Sequence, residues 1–313
     1  MSTPARSVTA PAVAIVGVGA VGAVFAAALQ EAGRAPVLCV RARRSLAVED
    51  PAGRVTELTA PMVASPAEVR GPADWVLLAV KAHQTAGAAA WLRKLAGPET
   101  TVLVLQNGVD QADRVAPFAG PATVLPTVIW CPAEPAGPGL VRQRAPARML
   151  VADDSAGRRA AALLAGGQVS VDLTADFVTA AWRKLSMNVV GALMALSCRT
   201  GEVLRDEDVG RLAERLAAEC VAVGRAEGAQ LDESVAAEAV AQLAARPAGA
   251  GSSILTDRLA GRPLEWEARN AIVRRLGVRH GIPTPVSDVI VPLLAACGPP
   301  SPGSGSPGSL GAR

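Results

Sequence analysis

The chain has 313 residues and no tyrosine, and its aromatic share is only 3%. A core without large rings has to be filled by Ala, Val and Leu. Half of the residues are hydrophobic, enough at this length for two domains with a sizeable interior. Strong charge of one sign is also missing: the net charge is +3 and no basic block stands out, which argues against nucleic acid as the main partner. Histidine occurs only as His83 and His280, which disfavours a histidine acid/base, and no His/Cys/acid cluster has metal-ligand spacing. Five cysteines (Cys39, Cys131, Cys198, Cys220, Cys297) are scattered without CxxC spacing. They read as reduced, mostly buried thiols of a cytosolic protein.

Two further scarcities point to particular positions. Of 31 basic residues only Lys81, Lys94 and Lys184 are lysine, and asparagine occurs only as Asn107, Asn188 and Asn270. A lysine can be brought to release its proton near neutral pH, whereas arginine cannot. Residues 7–30 carry no charge and follow Arg6, as a membrane span or signal peptide would, but Pro11, Gly17, Gly19 and Gly22 interrupt the run. A cytoplasmic protein without a membrane partner is the reading that fits.

The same stretch organises the chain. Residues 13–16 are a short apolar strand, Gly17, Gly19 and Gly22 form GxGxxG, an Ala-rich helix follows over 23–31, Gly33 closes it, and 36–40 is a second strand. Such a β-α-β unit binds a dinucleotide: the first glycine permits a tight turn, the second lets backbone approach the pyrophosphate, and the third lets helix and strand pack closely. The N-terminus of that helix offers free N–H groups and a positive dipole end to the phosphates. An NAD site usually carries an acid about 20 residues past the glycines to hold the ribose hydroxyl, while NADP sites place arginine there. Here the sequence reads Val40-Arg41-Ala42-Arg43-Arg44 with no acid before Glu49. Arg41, supported by Arg43 or Arg44, is therefore the candidate for a 2′-phosphate, and NADPH the expected cofactor.

Residues 1–10 read as a flexible leader. Further strands are expected over 61–65, 75–80 and 101–105, with a helix over 85–95. Lys81, Gln84 and Asn107 then fall at carboxyl ends of strands, where ligands of open α/β sheets lie. Strand-like stretches over 123–130, 139–143, 149–152 and 169–173 have hairpin-like spacing, which predicts that the sheet ends in antiparallel strands. From residue 176 the pattern turns helical, over 201–224, 232–245 and 264–281. The expected domains are thus 11–175 and 176–297, followed by a low-complexity, disordered tail over 298–313.

Two constellations carry the chemistry. In the helix starting near Asp176, Lys184 and Asn188 lie four apart on one face, beside small Ala181, Gly191 and Ala192, which leave room for a ligand. Further on, Gly251-Ser252-Ser253-Ile254-Leu255-Thr256-Asp257 precedes Gly261-Arg262-Pro263-Leu264-Glu265. Pro263 at a helix start would put Glu265 in the first turn.

The segments GxGAVG, LAVKAHQ, QNGV, WRKLSMN, SSILTDRLAGRPLEWEARN and HGIPTPV, in this order, resemble the ketopantoate reductase (2-dehydropantoate 2-reductase) family over nearly the whole chain. The resemblance implies an α/β fold in two parts: an N-terminal Rossmann-type NADP-binding domain, and an all-α C-terminal domain of the 6-phosphogluconate-dehydrogenase-like kind. It also implies NADPH-dependent reduction of the 2-oxo acid ketopantoate to D-pantoate, on the route to pantothenate and coenzyme A. Transferred by position, it makes Lys184 the general acid and Glu265 a cleft carboxylate near cofactor and lysine. Cofactor roles go to Gly17, Gly19, Ala20, Val21, Gly22, Arg41, Lys81, Gln84 and Asn107, and substrate contacts to Asn107, Lys184, Asn188 and Ser253. Three amides usual in the family are absent, where Gly191 or Ala192, Thr200 and Ala250 stand. Two other readings therefore stay open, a paralogue reducing a different 2-oxo acid or ketone and a non-catalytic NADPH-binding regulator. Apolar helical faces make a homodimer plausible.

Overall fold

The computed structural model describes residues 9–298 apart from residue 248. Most of the expected leader and nearly all of the expected tail lie outside the described residues. The strands are β1 (Val13–Val16), β2 (Val37–Cys39), β3 (Ala47–Glu49), β4 (Val55–Glu57), β5 (Met62–Val63), β6 (Trp75–Leu78), β7 (Thr101–Val104), β8 (Thr123–Pro126), β9 (Val128–Trp130), β10 (Ala133–Gly137), β11 (Leu140–Gln143), β12 (Ala147–Ala152) and β13 (Val169–Thr174). The helices are α1 (Ala20–Glu31), α2 (Ala89–Leu95), α3 (Gln111–Ala119), α4 (Ser155–Leu164), α5 (Phe177–Ser197), α6 (Glu207–Ala226), α7 (Ser234–Ala244), α8 (Ser253–Leu259), α9 (Ile272–His280) and α10 (Pro285–Ala296).

Six strands form a sheet in the order β5-β2-β1-β6-β7-β8, every pair parallel. Its strands are apolar apart from Thr101 and Thr123 because both faces are covered. Alternate residues feed different cores. Ile15, Leu77 and Leu103 pack with α1 and α4 on one side, and Val16, Leu78 and Val104 pack with α2 and α3 on the other. Chain order reverses at β1 and β6, the position where doubly wound sheets bind ligands beyond their strand ends.

The expected antiparallel end of this sheet is corrected. The parallel sheet stops at β8, and the segment read as one strand over 123–130 breaks at Thr127. Both backbone groups of Thr127 are taken by the Gln111 side chain, at 2.8 Å each, so they are lost to the ladder and the chain leaves the sheet. β9 then joins β12 and β13, while β10, β11, β3 and β4 form a separate four-stranded sheet. The helix expected over 85–95 is helical only from Ala89, after two short 3₁₀ turns. That over 201–224 is a 3₁₀ turn followed by α6, which Asp206 caps through Asp208 and Val209 N–H.

The second half is helical. α5 starts under an Asp176 cap on Thr179 N–H and ends at Cys198 in the left-handed region. It packs on α6 where Trp182 lies against Gly224; a methyl there would come within 2.9 Å of the indole. Val189, Leu216, Cys220, Ile254 and Ile272 belong to the core built around that contact. All five cysteines are free, with Cys39 and Cys220 buried and Cys198 exposed. Among the described residues no helix is long and apolar enough to cross a membrane.

Candidate active site

The glycine turn between β1 and α1 is closed at two of its glycines and open at the third. Gly17 has φ +93, and a methyl on Gly22 would fall 2.2 Å from Gly17 O, so neither position accepts a side chain. Gly19 has nothing within 4 Å of a built Cβ, and no side chain caps α1 there. Open space in front of uncapped N–H groups, at Ala20, Val21 and Gly22, is what a pyrophosphate needs. Arg41 and Arg44 are exposed just past β2, whereas Arg43 is paired with Glu68 and donates to Met62 O at 3.1 Å.

Glu265 joins the two halves of the molecule. It is 4% exposed, and its carboxylate accepts from Lys81 Nζ at 3.2 Å, Ala82 N at 2.9 Å and Asn107 Nδ2 at 3.1 Å. Burial alone would raise its pKa, but the Lys81 charge and these donors hold it below the ordinary value. The expectation that Glu265 sits in the first turn of a helix is corrected. The helix begins at Trp266, and donors from the opposite domain, rather than its own helix, satisfy the carboxylate. Lys81 also reaches Asp257 Oδ2 at 2.9 Å, and Arg262 Nε reaches Asp257 Oδ1 at 2.9 Å. Burial works against the Lys81 charge, but the two carboxylates outweigh it and raise the pKa. Asp257 stood within a quoted motif without a role; its low exposure and its two cationic partners make it part of this bridge.

Asn107 faces the other way through its oxygen, which accepts from Asn188 Nδ2 at 3.4 Å. Its loop is pinned by Arg114, which donates to Asn107 O at 2.8 Å and pairs with Asp110. Nothing in the sequence singled out Arg114. Asn107, Asn188, Thr127, Ala181 and Lys184 line one small cavity. Lys184 is half-buried, with Nζ 5.3 Å from the Trp130 ring centroid. Among the described residues no carboxylate lies within 4 Å of it, in contrast to Lys81. Burial, then the positive charges of Arg269 and Arg246, lower its pKa from 10.5 to about 7.

The remaining expected site residues lie nearby but less centrally. Gln84 is exposed and accepts from Lys81 N at 3.3 Å. Ser253 is exposed at the start of α8, with Oγ 2.9 Å from Arg269 Nη1. The room expected beside Gly191 is filled rather than open: a methyl there would lie 3.3 Å from Arg269 Nη2 and from Ser252 Oγ. Arg269, 2% exposed, was not singled out by the sequence.

A doubly wound sheet with an open glycine turn, facing a helical domain that supplies a lysine with no carboxylate partner among the described residues, defines a nicotinamide-dependent oxidoreductase of the two-domain Rossmann class. Residues 13–155 match the ketopantoate reductase PanE/ApbA family, and residues 176–297 match its C-terminal part. The chain belongs to the ketopantoate reductase family. A 2-dehydropantoate 2-reductase of Mycobacterium tuberculosis is 44% identical over 288 residues, spanning 92% of this chain and 98% of the relative. One from Caulobacter vibrioides is 39% identical over 289 residues, spanning 91% and 98%. The crystal structure of a PanE/ApbA family ketopantoate reductase from Ralstonia eutropha superposes with a TM-score of 0.82 at 31% identity, covering 93% of this chain and 98% of the other.

Proposed function

We propose that this chain reduces the 2-oxo group of 2-dehydropantoate (ketopantoate) to the hydroxyl of D-pantoate, a step of pantothenate biosynthesis, with NADPH as the hydride donor. The observation that carries the reading is Lys184: an ammonium without a carboxylate partner, in a cavity shared with Asn107 and Asn188, whose pKa lies at about 7. The relatives from Mycobacterium tuberculosis and Caulobacter vibrioides bear the name of this activity.

NADPH, when bound, would supply a hydride to the 2-oxo carbon. As the C–O double bond opens, negative charge gathers on oxygen; Lys184 stabilises it and then gives up its proton, which leaves a hydroxyl and a neutral amine that water reprotonates. Asn107 and Asn188 orient the substrate, with Ser253 at the rim. Glu265 stays ionised, holding Lys81 and Asn107 in place across the cleft. Gly17, Gly19 and Gly22 with the start of α1 would hold the pyrophosphate. Arg41, without an acid partner among the described residues, would hold the 2′-phosphate. A homodimer through the helical domain belongs to the same reading, and exposed Val278, Val289 and Leu293 lie on its last two helices.

Steady-state assays test the proposal: ketopantoate is expected to show the highest kcat/KM among a panel of 2-oxo acids, with NADPH preferred to NADH. No turnover of ketopantoate would overturn it.

A further inference from the structure

Arg269 is an unusual group to find inside this protein. It is 2% exposed, no carboxylate lies within 4 Å of it among the described residues, and its Nε has no hydrogen-bond partner. The carboxylates that act on it, Glu265 and Asp257, do so at longer range, and a buried guanidinium with no carboxylate in contact is costly and calls for a use. It lies in the π-helical turn Glu267–Ala271 ahead of α9, a distortion that often marks functional sites. From there its fork reaches α5 and α8. Nη2 donates to Asn188 O at 3.2 Å and Asn188 Oδ1 at 3.3 Å, and Nη1 donates to Ser253 Oγ at 2.9 Å. Gly191, one turn along α5, is what admits the guanidinium, because a side chain there would press on Nη2.

We propose that Arg269 sets the hydrogen-bond polarity of the substrate end of the cleft, turning Asn188 and Ser253 into outward-facing donors so that the site selects a carboxylate-bearing substrate. A guanidinium can only donate. Asn188 must therefore give it the amide oxygen, which leaves Nδ2 directed at Asn107 and the cavity. Ser253 must likewise use an oxygen lone pair on Arg269, which frees its O–H to donate outward from an exposed position. Two donors backed by a buried positive charge suit an anion and repel a cation. The charge balance agrees. Glu265 and Asp257 are in contact with Lys81 and Arg262 and reach Arg269 only at longer range, while Arg269 and Arg246 both raise the local positive potential felt by Lys184. Arg269 acts here as a positioning residue, and substrate contact is left to Asn188 and Ser253.

The inference rests on the reductase reading, and one set of assays separates the two. At saturating NADPH, the wild-type protein and the variants Arg269→Gln and Arg269→Lys are compared on ketopantoate and on its uncharged methyl ester. The wild type is expected to prefer the acid by ~100-fold in kcat/KM. Arg269→Gln should lose most of that preference through a higher KM for the acid, with NADPH affinity unchanged and the pH midpoint of kcat moved upward. Arg269→Lys, which keeps the charge but not the fork, should retain the preference at lower kcat/KM. Wild-type turnover of acid and ester alike, or an equal loss on both substrates in Arg269→Gln, would overturn this proposal alone. No turnover of either compound would remove the reductase reading and this proposal with it. Should Arg269→Gln fail to fold, Arg269→Lys decides: loss of acid preference there, with NADPH binding intact, overturns the proposal.

Discussion

Asn107 Nδ2 lies 3.1 Å from Glu265 Oε2, a bond between residues 158 apart in sequence that ties the loop after β7 to the segment ahead of α9. Because the Asn107 amide nitrogen is spent on Glu265, its oxygen faces Asn188, and the three side chains form a relay from the buried carboxylate to the cavity that Lys184 lines.

Removing the carboxylate strands its donors. Glu265→Leu leaves Ala82 N–H and Asn107 Nδ2 without their acceptor and Lys81 with Asp257 alone, and breaking a buried pair in this way costs about 3 kcal/mol. Denaturant melts at pH 7 should show a loss of that order, reduced by the partial exposure of Lys81. The folded pKa of Glu265 lies below its ordinary 4.5, so its stabilisation is full above about that pH and fades as pH falls through the lowered value. The gap between wild type and variant should accordingly narrow in acid.

The glycine turn makes two opposite predictions for one methyl group. Gly22→Ala collides with Gly17 O and should lower the melting temperature, whereas Gly19→Ala meets nothing within the protein and should leave it unchanged. Dinucleotide affinity, read by fluorescence titration, should nevertheless fall in Gly19→Ala because the methyl enters the space kept for pyrophosphate.

Arg41 and Arg43 are close in sequence but differently committed. Arg41→Ala should raise KM for NADPH by about tenfold or more and leave KM for NADH nearly unchanged. Arg43→Ala, which removes a residue already paired with Glu68, should shift the NADPH/NADH ratio far less.

The pH dependence follows from Lys184. Its pKa falls from 10.5 to about 7 because burial, Arg269 and Arg246 all disfavour the charged form. Reduction needs the protonated amine, so kcat/KM with ketopantoate should decline as pH rises above about 7; a profile flat to pH 9 would contradict this. A lowered lysine pKa means that the unfolded chain binds more protons between these values, so the lysine costs stability at low pH and less as pH rises. Lys184→Met should therefore raise the melting temperature more at pH 6 than at pH 9.

What could be read from the sequence was local. The opening β-α-β unit was legible because one glycine spacing and two runs of valine and leucine lie together. The short strands β3, β4 and β10 carry no alternation long enough to stand out. α3 contains Pro117 and α4 opens with Ser-Ala-Gly, which obscures both. At the site, Gly191 was read as room for a ligand. Its real neighbour is a guanidinium from residue 269, a contact that no spacing along α5 encodes. Glu265 was misplaced into a helix for the same reason: its partners come from the other domain, and partners far apart in sequence leave no periodic trace.

The most direct measurement is the consumption of NADPH on mixing with ketopantoate in Lys184→Ala, set beside the affinity of the same variant for NADPH. The account predicts a fall in kcat of ~10²-fold or more with cofactor affinity nearly unchanged. Turnover close to that of the wild type would contradict it.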